Sequence, residues 1–121
     1  MSAINLTDKF ALINGYWQPK IIAQLNGQYV KLAKFKGEFT WHAHEFEDEF
    51  FQVIKGEIQI HLRNEIISIK EGECFVVPKG LEHKPVAIDE AHVMMFEPMD
   101  TRQTGDVTTP LTVEITDQNW I

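Results

Sequence analysis

The central part of the chain alternates between apolar and polar residues, which is the pattern of half-buried β-strands. Over residues 57–63 every second position is apolar and the positions between are polar: Ile58, Ile60 and Leu62 against Glu57, Gln59, His61 and Arg63. A period of two predicts a strand with one face in the core and the other in water. Residues 50–54 and 74–77 are apolar on both faces. We therefore expect a second layer over the sheet, supplied by the N-terminal segment or by another subunit.

Turn signals divide most of the chain into short segments. After the Asn26-Gly27 dipeptide they recur about every ten residues, as is typical of a sandwich or barrel. They are Lys36-Gly37, Lys55-Gly56, Arg63-Asn64, Glu71-Gly72, Lys79-Gly80, Asp89-Glu90 and Gly105-Asp106. Asn26-Gly27 is itself a strong hairpin signal, so residues 21–25 and 29–35 are predicted to pair. Residues 111–115 are predicted as one further strand, with Trp120 as an apolar anchor beyond it.

Helical periodicity is confined to the N-terminus. Leu6, Phe10 and Ile13 recur at near-helical spacing, and Thr7 and Asp8 are candidate caps. An Asn-Gly dipeptide then ends the pattern, so the sequence predicts one short helix of about two turns.

Composition and charge exclude several classes of protein. The 121 residues suffice for one domain, and the formal charge is -7, from 11 basic and 18 acidic residues without a basic cluster. Nucleic acid is therefore not an expected partner. No apolar run approaches the roughly 20 residues of a membrane span. The N-terminus does not read as a secretory signal, so we expect a cytoplasmic protein. The single Cys74 is predicted to be a buried, inert thiol because it shares a phase with Val76.

Two histidines two positions apart are the first candidate for chemistry. On an extended strand, His42 and His44 project from the same face and can bind one cation. Glu49 is the leading carboxylate partner, because it shares its phase with the apolar residues of the next strand, whereas Asp48 has the opposite phase. The alternative is a solvated acidic loop in which both histidines are half-exposed.

A second candidate segment, GECFVVPKGLEH, spans residues 72–83. Pro78 fixes φ and Gly80 permits a positive φ, so a tight turn is predicted just before His83. A histidine after a rigid turn is well placed for metal ligation. Alone, it is equally compatible with a loop histidine in water.

Together the two segments resemble the cupin superfamily, in particular its small bacterial, mannose-6-phosphate-isomerase-like single-domain members. The first family motif is matched by Gly37, His42, His44, Glu49 and Gly56, and the second by Gly72, Pro78, Gly80 and His83. Gly37 lies one residue closer to the histidines than usual. Many members end the second motif with an asparagine where this chain has Ala87, a departure that removes no metal ligand. The likeness covers about residues 30–100.

The resemblance implies an all-β fold, an antiparallel double-stranded β-helix (jelly-roll or cupin barrel) with a short N-terminal helix. One domain would span residues 1–121, with the barrel at 30–100, a helix and strand at 1–29 and a C-terminal strand or tail at 101–121. It also implies a homodimer and a site for one divalent transition metal, with these ligands: His42, His44, Glu49 and His83. Mixed histidine and carboxylate ligation without thiolate suits iron, manganese, nickel, copper or zinc.

Two functions compete for such a chain. The first is a metal-dependent enzyme that acts on a small oxygen-rich metabolite as an isomerase, lyase or dioxygenase. The alternative is a non-catalytic sugar- or metabolite-binding module that uses the same pocket. A storage or structural role is disfavoured by the small size.

Further residues are predicted around the site. Phe51 and Val53 share the phase of Glu49, and three alternating residues of a later strand are also candidates for the pocket lining: His92, Met94 and Phe96. His92 is alternatively structural or interfacial. His61 is predicted on a wet face, and Trp41 is expected to point away from the site.

Overall fold

Seven strands and two short helical segments make up the protein, for which a computed structural model describes residues 1–121. In chain order they are helix α1 (Leu6–Ala11), strands β1 (Lys20–Leu25), β2 (Gln28–Glu38), β3 (Glu49–Lys55), β4 (Glu57–His61), β5 (Ile66–Lys70), β6 (Cys74–Val77) and β7 (Lys84–Pro98), and a 3₁₀ turn at Ile115–Asp117. Neither helical segment has the length and apolar character needed to cross a membrane.

All strand pairs are antiparallel, and the longest strand, β7, organises them. The sheet order is β1-β2-β7-β3-β6, and β4 pairs with both β5 and β7. β2 pairs along nearly the whole of β7, while β3 pairs with its second half and β4 with its first residues. This wrapping confirms the predicted jelly-roll with a short N-terminal helix.

Two of the predicted turns lie inside strands. The dipeptides at residues 36–37 and 89–90 fall within β2 and β7, which face each other. Phe35 pairs with Ala91, but Gly37 pairs with Ala87, so the register slips between them. Gly37 has a φ of 80°. Residues 88–90 of β7 thus lie opposite the single residue 36 of β2, so β7 bulges where the sequence predicted a chain reversal, and Gly37 permits the positive φ beside the bulge.

The N-terminal hairpin is confirmed, and the helix covers it. β1 and β2 join at Asn26 and Gly27, both with positive φ, as a tight hairpin turn requires. Asn5 caps α1, because its side-chain oxygen accepts a hydrogen bond from the Asp8 backbone N–H at 2.9 Å. The predicted caps, Thr7 and Asp8, are therefore wrong by two or three residues.

Helix α1 packs on the outer face of the sheet, so part of the predicted covering layer comes from the N-terminal segment. Five buried residues form this outer cluster: Phe10, Ile13, Ile22, Val30 and Leu32. A separate cluster of 13 residues fills the barrel interior, and its members include Phe51, Val53, Ile58, Ile60 and Val93. On β4, Ile58 and Ile60 are fully buried, as the alternating pattern predicted.

The predicted C-terminal strand at residues 111–115 is wrong. This segment consists of turns, and local side-chain hydrogen bonds replace a ladder. The Thr109 N–H donates to Thr112 Oγ1 at 2.9 Å, and the Leu111 N–H donates to Thr109 Oγ1 at 3.1 Å. Hydroxyl groups compete with strand pairing in this way. The final residues instead pair with β1, where Ile21 bridges to the half-exposed Trp120.

The predicted burial of Cys74 is also wrong. Cys74 is exposed, and Val76 in the same phase is 48% exposed. Cys74 and Val76 do lie on the same face of β6, as predicted, but that face is directed outward. Trp41 does point away from the barrel interior, and it packs beneath Arg63, whose guanidinium carbon lies 3.8 Å from the ring centroid.

Candidate metal centre

His42 and His44 lie on the irregular segment between β2 and β3, where the sequence predicted an extended strand. His42 forms an isolated antiparallel bridge with His83. The two residues exchange backbone hydrogen bonds of 3.0 and 2.9 Å. This bridge places the histidine from the second segment directly beside the first pair, although about forty residues separate them.

The four side chains named from the sequence come together inside the barrel. Their ligand atoms all lie within 4.8 Å of one another, and all four residues are buried: His42, His44, Glu49 and His83. Glu49 bridges the group, with Oε2 at 3.6 Å from His44 Nε2 and Oε1 at 3.5 Å from His83 Nε2. Two atoms bonded to one ion at about 2.1 Å can be at most about 4.2 Å apart. Adjustments of about half an ångström therefore suffice for one ion.

The hydrogen bonds of the imidazoles leave their Nε2 atoms bare. His42 Nδ1 lies 2.9 Å from the Thr40 carbonyl oxygen, and His83 Nδ1 lies 2.9 Å from the Leu81 carbonyl oxygen. These contacts place the ring proton on Nδ1, which donates to the carbonyl. The Nε2 atoms of His42, His44 and His83 are buried without a hydrogen-bond partner. Three orphaned nitrogen lone pairs facing one carboxylate fit a divalent metal ion.

Burial keeps two of the imidazoles, those of His42 and His44, neutral. It lowers the pKa of His42 to about 3, with a further contribution from the nearby His83. Burial also lowers the pKa of His44. Only the neutral imidazole binds a metal. The electrostatics of the site therefore favour the protonation state that ligation needs.

Glu49 and Asp48 occupy different positions relative to the cluster. Glu49 is buried in the cluster, whereas Asp48 Oδ1 accepts a hydrogen bond from the Lys79 backbone N–H at 2.8 Å. The neighbouring Gly80 N–H donates to the His44 carbonyl at 2.8 Å. Two hydrogen bonds thus connect the predicted Pro-Lys-Gly turn to the segment that carries the first two histidines and Asp48.

A buried ion pair beside the cluster was not anticipated from the sequence. Lys31 Nζ lies 2.8 Å from Glu97 Oε1 and 2.5 Å from Gln118 Oε1. Lys31 and Glu97 are each 1% exposed. Burial and the charge of Glu49 raise the pKa of Glu97 to about 8, and Lys31 opposes the shift. The sequence contained one indication that Lys31 is buried, because Lys31 lies on the same face of β2 as apolar residues.

A narrow cavity of about 30 Å³ adjoins the cluster. Phe51 lines it as predicted, but Val53 lies deeper in the core. The prediction of a lining by three residues of β7 is wrong by one position, because His92, Met94 and Phe96 point to the outer face. His92 stacks on Phe10 with ring centroids 4.6 Å apart. The inward residues of β7 are those between, including Met95 and Glu97. His61 lies on the outer face, hydrogen-bonded to Gln59.

Two wall residues of the cavity, Trp17 and Gln103, were not identified from the sequence. They come from the segments before β1 and after β7. No periodic pattern marks either residue, because neither belongs to a strand.

Comparison with known proteins gives a consistent result. A family model described as "Cupin domain" matches residues 28–98. A crystal structure of a cupin-2 domain containing protein from Shewanella frigidimarina is 47% identical, covering 79% of this chain and 94% of that one, with a TM-score of 0.78. Protein NMB1881 from Neisseria meningitidis is 32% identical over 80% of this chain and 99% of its own, with a TM-score of 0.74.

A curated relative matches a shorter stretch. The uncharacterized protein YdbB of Bacillus subtilis is 38% identical over 64 residues, which are 52% of this chain and 57% of YdbB. The match therefore spans little more than half the length of that relative.

Proposed function

The chain belongs to the cupin family, and on that premise we propose that it binds one divalent transition metal and acts as a metal-dependent enzyme on a small molecule. The observation that carries this proposal is the set of three buried Nε2 atoms without hydrogen-bond partners, which face the Glu49 carboxylate. Burying three unsatisfied nitrogens costs stability unless a ligand engages them.

Four residues of this chain would hold the metal: His42, His44, Glu49 and His83. Neutral imidazoles and one carboxylate would leave a bound divalent ion with a net charge near +1, so the site would favour a substrate that offers an oxygen ligand. When bound, the metal supplies Lewis-acid polarisation of that oxygen. Iron, manganese, nickel, copper and zinc all suit this donor set, and availability selects among them.

The chain's own residues orient the site and exclude water. The Thr40 and Leu81 carbonyls accept the Nδ1 protons of His42 and His83 and so fix the orientation of both rings. Phe39 packs edge-on against His42 with centroids 5.4 Å apart. The apolar residues of the barrel interior lie beyond the cluster and help to keep water from it.

Elemental analysis tests the metal site directly. Protein purified without chelators or a metal-binding tag is expected to carry close to one divalent ion per chain. His83→Ala should reduce the metal content to background, because it removes one of three imidazoles. His61→Ala is the matched control and should retain full occupancy, since His61 lies on the outer face. If wild-type protein holds no metal, and added iron, manganese, nickel or zinc leaves its melting temperature unchanged, the proposal is wrong.

The second candidate function is a non-catalytic binding module, which the same cavity supports. The two candidates differ in their dependence on metal. Turnover in an activity screen that disappears on chelation and returns with metal identifies an enzyme. Saturable ligand binding without turnover, surviving metal removal, identifies the binding module.

The assembly we propose is a cytoplasmic homodimer in which each chain is a single cupin domain. Support comes from the outer face of β3, β6 and β7, where the Phe50 and Phe96 rings lie 5.1 Å apart beside the exposed Val76. A second copy would cover this apolar face. Light scattering that gives the mass of one chain would contradict the dimer. The net charge of -7 argues against nucleic acid as a partner.

A further inference from the structure

The loop that follows β7 packs directly against the segment that carries the first two histidines. Gly105 of this loop contacts Ala43, the single residue between the two histidines. A Cβ atom added to Gly105 would overlap the Ala43 carbonyl oxygen, and it would lie 2.9 Å from the carbonyl carbon and 3.5 Å from His42 Cδ2. In the imidazole ring, Cδ2 is bonded to Nε2, the candidate ligand atom. Only a glycine therefore fits at this contact.

Hydrogen bonds fix the backbone of the histidine segment at this contact. His42 and His83 exchange backbone hydrogen bonds of 3.0 and 2.9 Å. The Gly80 N–H donates to the His44 carbonyl at 2.8 Å. The residues on both sides of Ala43 are thus bonded to the segment that carries the fourth ligand. A displacement of Ala43 would therefore be transmitted to the two neighbouring imidazoles.

The loop on the other side of the contact is fixed as well. Gln103 donates from Nε2 to the Trp17 carbonyl at 2.5 Å, and its Oε1 accepts from the Val113 N–H. Thr104 is fully buried, and its Oγ1 donates to a backbone carbonyl within the loop at 2.8 Å. Because both partners are held by their own hydrogen bonds, neither side of the contact is free to retreat.

We propose that Gly105 is a positioning residue of the metal centre, because its missing side chain lets the loop press on Ala43 and hold the imidazoles of His42 and His44 at ligand distance. This inference rests on the proposed function, since it concerns the geometry of the same four ligands. Metal bonds tolerate errors of about 0.2 Å, so a methyl group that displaces the segment further lowers metal affinity. Gly105 lies outside residues 28–98, the part of the chain that matches the family model.

Two glycine-to-alanine substitutions separate this role from backbone strain. Gly105→Ala and Gly27→Ala both place a side chain at positive φ, 59° and 75°, but a Cβ atom at Gly27 meets no atom within 4 Å. Both variants should therefore lose some thermal stability. Zinc affinity, measured by competition with a chromophoric chelator, should fall by about tenfold or more in Gly105→Ala and stay within about twofold of wild type in Gly27→Ala.

Cobalt(II) provides a readout of ligand geometry that a loss of stability alone does not change. The visible absorption bands of the cobalt-loaded protein should shift in Gly105→Ala and keep their wild-type positions in Gly27→Ala. Wild-type protein that takes up neither zinc nor cobalt contradicts the proposed function together with this inference. If the wild-type protein binds both metals, an equal zinc affinity and an unchanged cobalt spectrum in the two variants overturn the positioning role alone.

A second variant decides the question if Gly105→Ala does not fold. Gln103→Ala releases the loop from the Trp17 carbonyl and from the Val113 N–H, so it relieves the pressure on Ala43 without adding an atom. It should weaken zinc binding by about tenfold and shift the cobalt bands. Wild-type zinc affinity and a wild-type cobalt spectrum in Gln103→Ala would show that the loop does not position the histidines.

Discussion

The two ends of the barrel interior are built from the same strands but have opposite chemistry. Along β3 the inward residues run from Glu49 through Phe51 to Val53, and along β7 they run from Glu97 through Met95 to Val93 in the same direction. One end, the metal end, thus presents carboxylates and the other, the apolar end, presents aliphatic side chains. Strand alternation decides which residues point inward, and residue type alone decides what each end does.

The ends also contribute differently to stability. The apolar end contains fully buried aliphatic residues: Val53, Ile58, Ile60 and Val93. Each such side chain stabilises the fold by about 1.5–3 kcal/mol. The metal end buries an ion pair and three unpaired imidazole nitrogens, which cost free energy when no ion is bound. We infer that the apolar end supports a metal end that is unfavourable alone.

The largest effect is expected from breaking the ion pair at the metal end. At about pH 9, above the pKa of Glu97, Lys31→Met leaves the buried carboxylate without its cation and should lower the free energy of unfolding by about 4 kcal/mol. Urea denaturation measures the change. The double variant Lys31→Met/Glu97→Met is the control, because removing both charges should recover most of the loss. A double variant as unstable as the single one would show that shape, not charge, matters here.

At the apolar end, Ile60→Ala is expected to lower the free energy of unfolding by about 3 kcal/mol through cavity formation. The same variant should still bind one metal per chain, since Ile60 does not line the cavity. Urea denaturation and elemental analysis together test the separation of the two ends. Loss of metal in a folded Ile60→Ala protein would mean that the ends are coupled.

The smallest effect concerns pH in the metal-free protein. The pKa of His42 is lowered by burial, so the unfolded chain binds its proton more readily, and stability is lost as pH falls from about 6.5 towards 3. The pKa of Glu97 is raised, so its contribution is present at low pH and is lost as pH rises towards 8. Between about pH 4.5 and 6.5 the two effects oppose each other.

Glu97→Gln separates these contributions. In this variant, stability should fall by about 1–2 kcal/mol between pH 6.5 and 5, because the His42 effect is no longer offset. Wild-type protein should change less over the same range. Thermal denaturation of chelator-treated samples provides the measurement. Identical pH profiles for the two proteins would argue against the raised pKa of Glu97.

Much of the difference between the two ends of the barrel could be predicted from the sequence. The strict alternation at residues 57–63 predicted the inward Ile58 and Ile60, and the two motifs predicted which four side chains would meet. The lining by β7 was misplaced by one position, because both phases of that strand are apolar near Met94. One face of β7 packs in the cluster under helix α1 and the other packs in the barrel interior. Both faces are therefore apolar, so hydropathy could not show which face lines the cavity.

The remaining errors have local causes. The turn predicted at residues 89–90 became a bulge, because β2 and β7 continue pairing on both sides of it. The tail was predicted as a strand from its apolar alternation, but Thr109 and Thr112 hydrogen-bond to nearby backbone. Trp17 and Gln103 could not be found, since the contact between two segments 86 residues apart leaves no mark in either.

The position of Trp17 and Gln103 has a consequence for how far function can be transferred between relatives. Both lie outside residues 28–98, the part of the chain that matches the family model, whereas all four candidate metal ligands lie inside it. Two homologues that share all four candidate ligands can therefore differ in the walls of the cavity beside them. Orthologues are therefore better distinguished from paralogues by aligning the terminal segments than by aligning the histidine motifs.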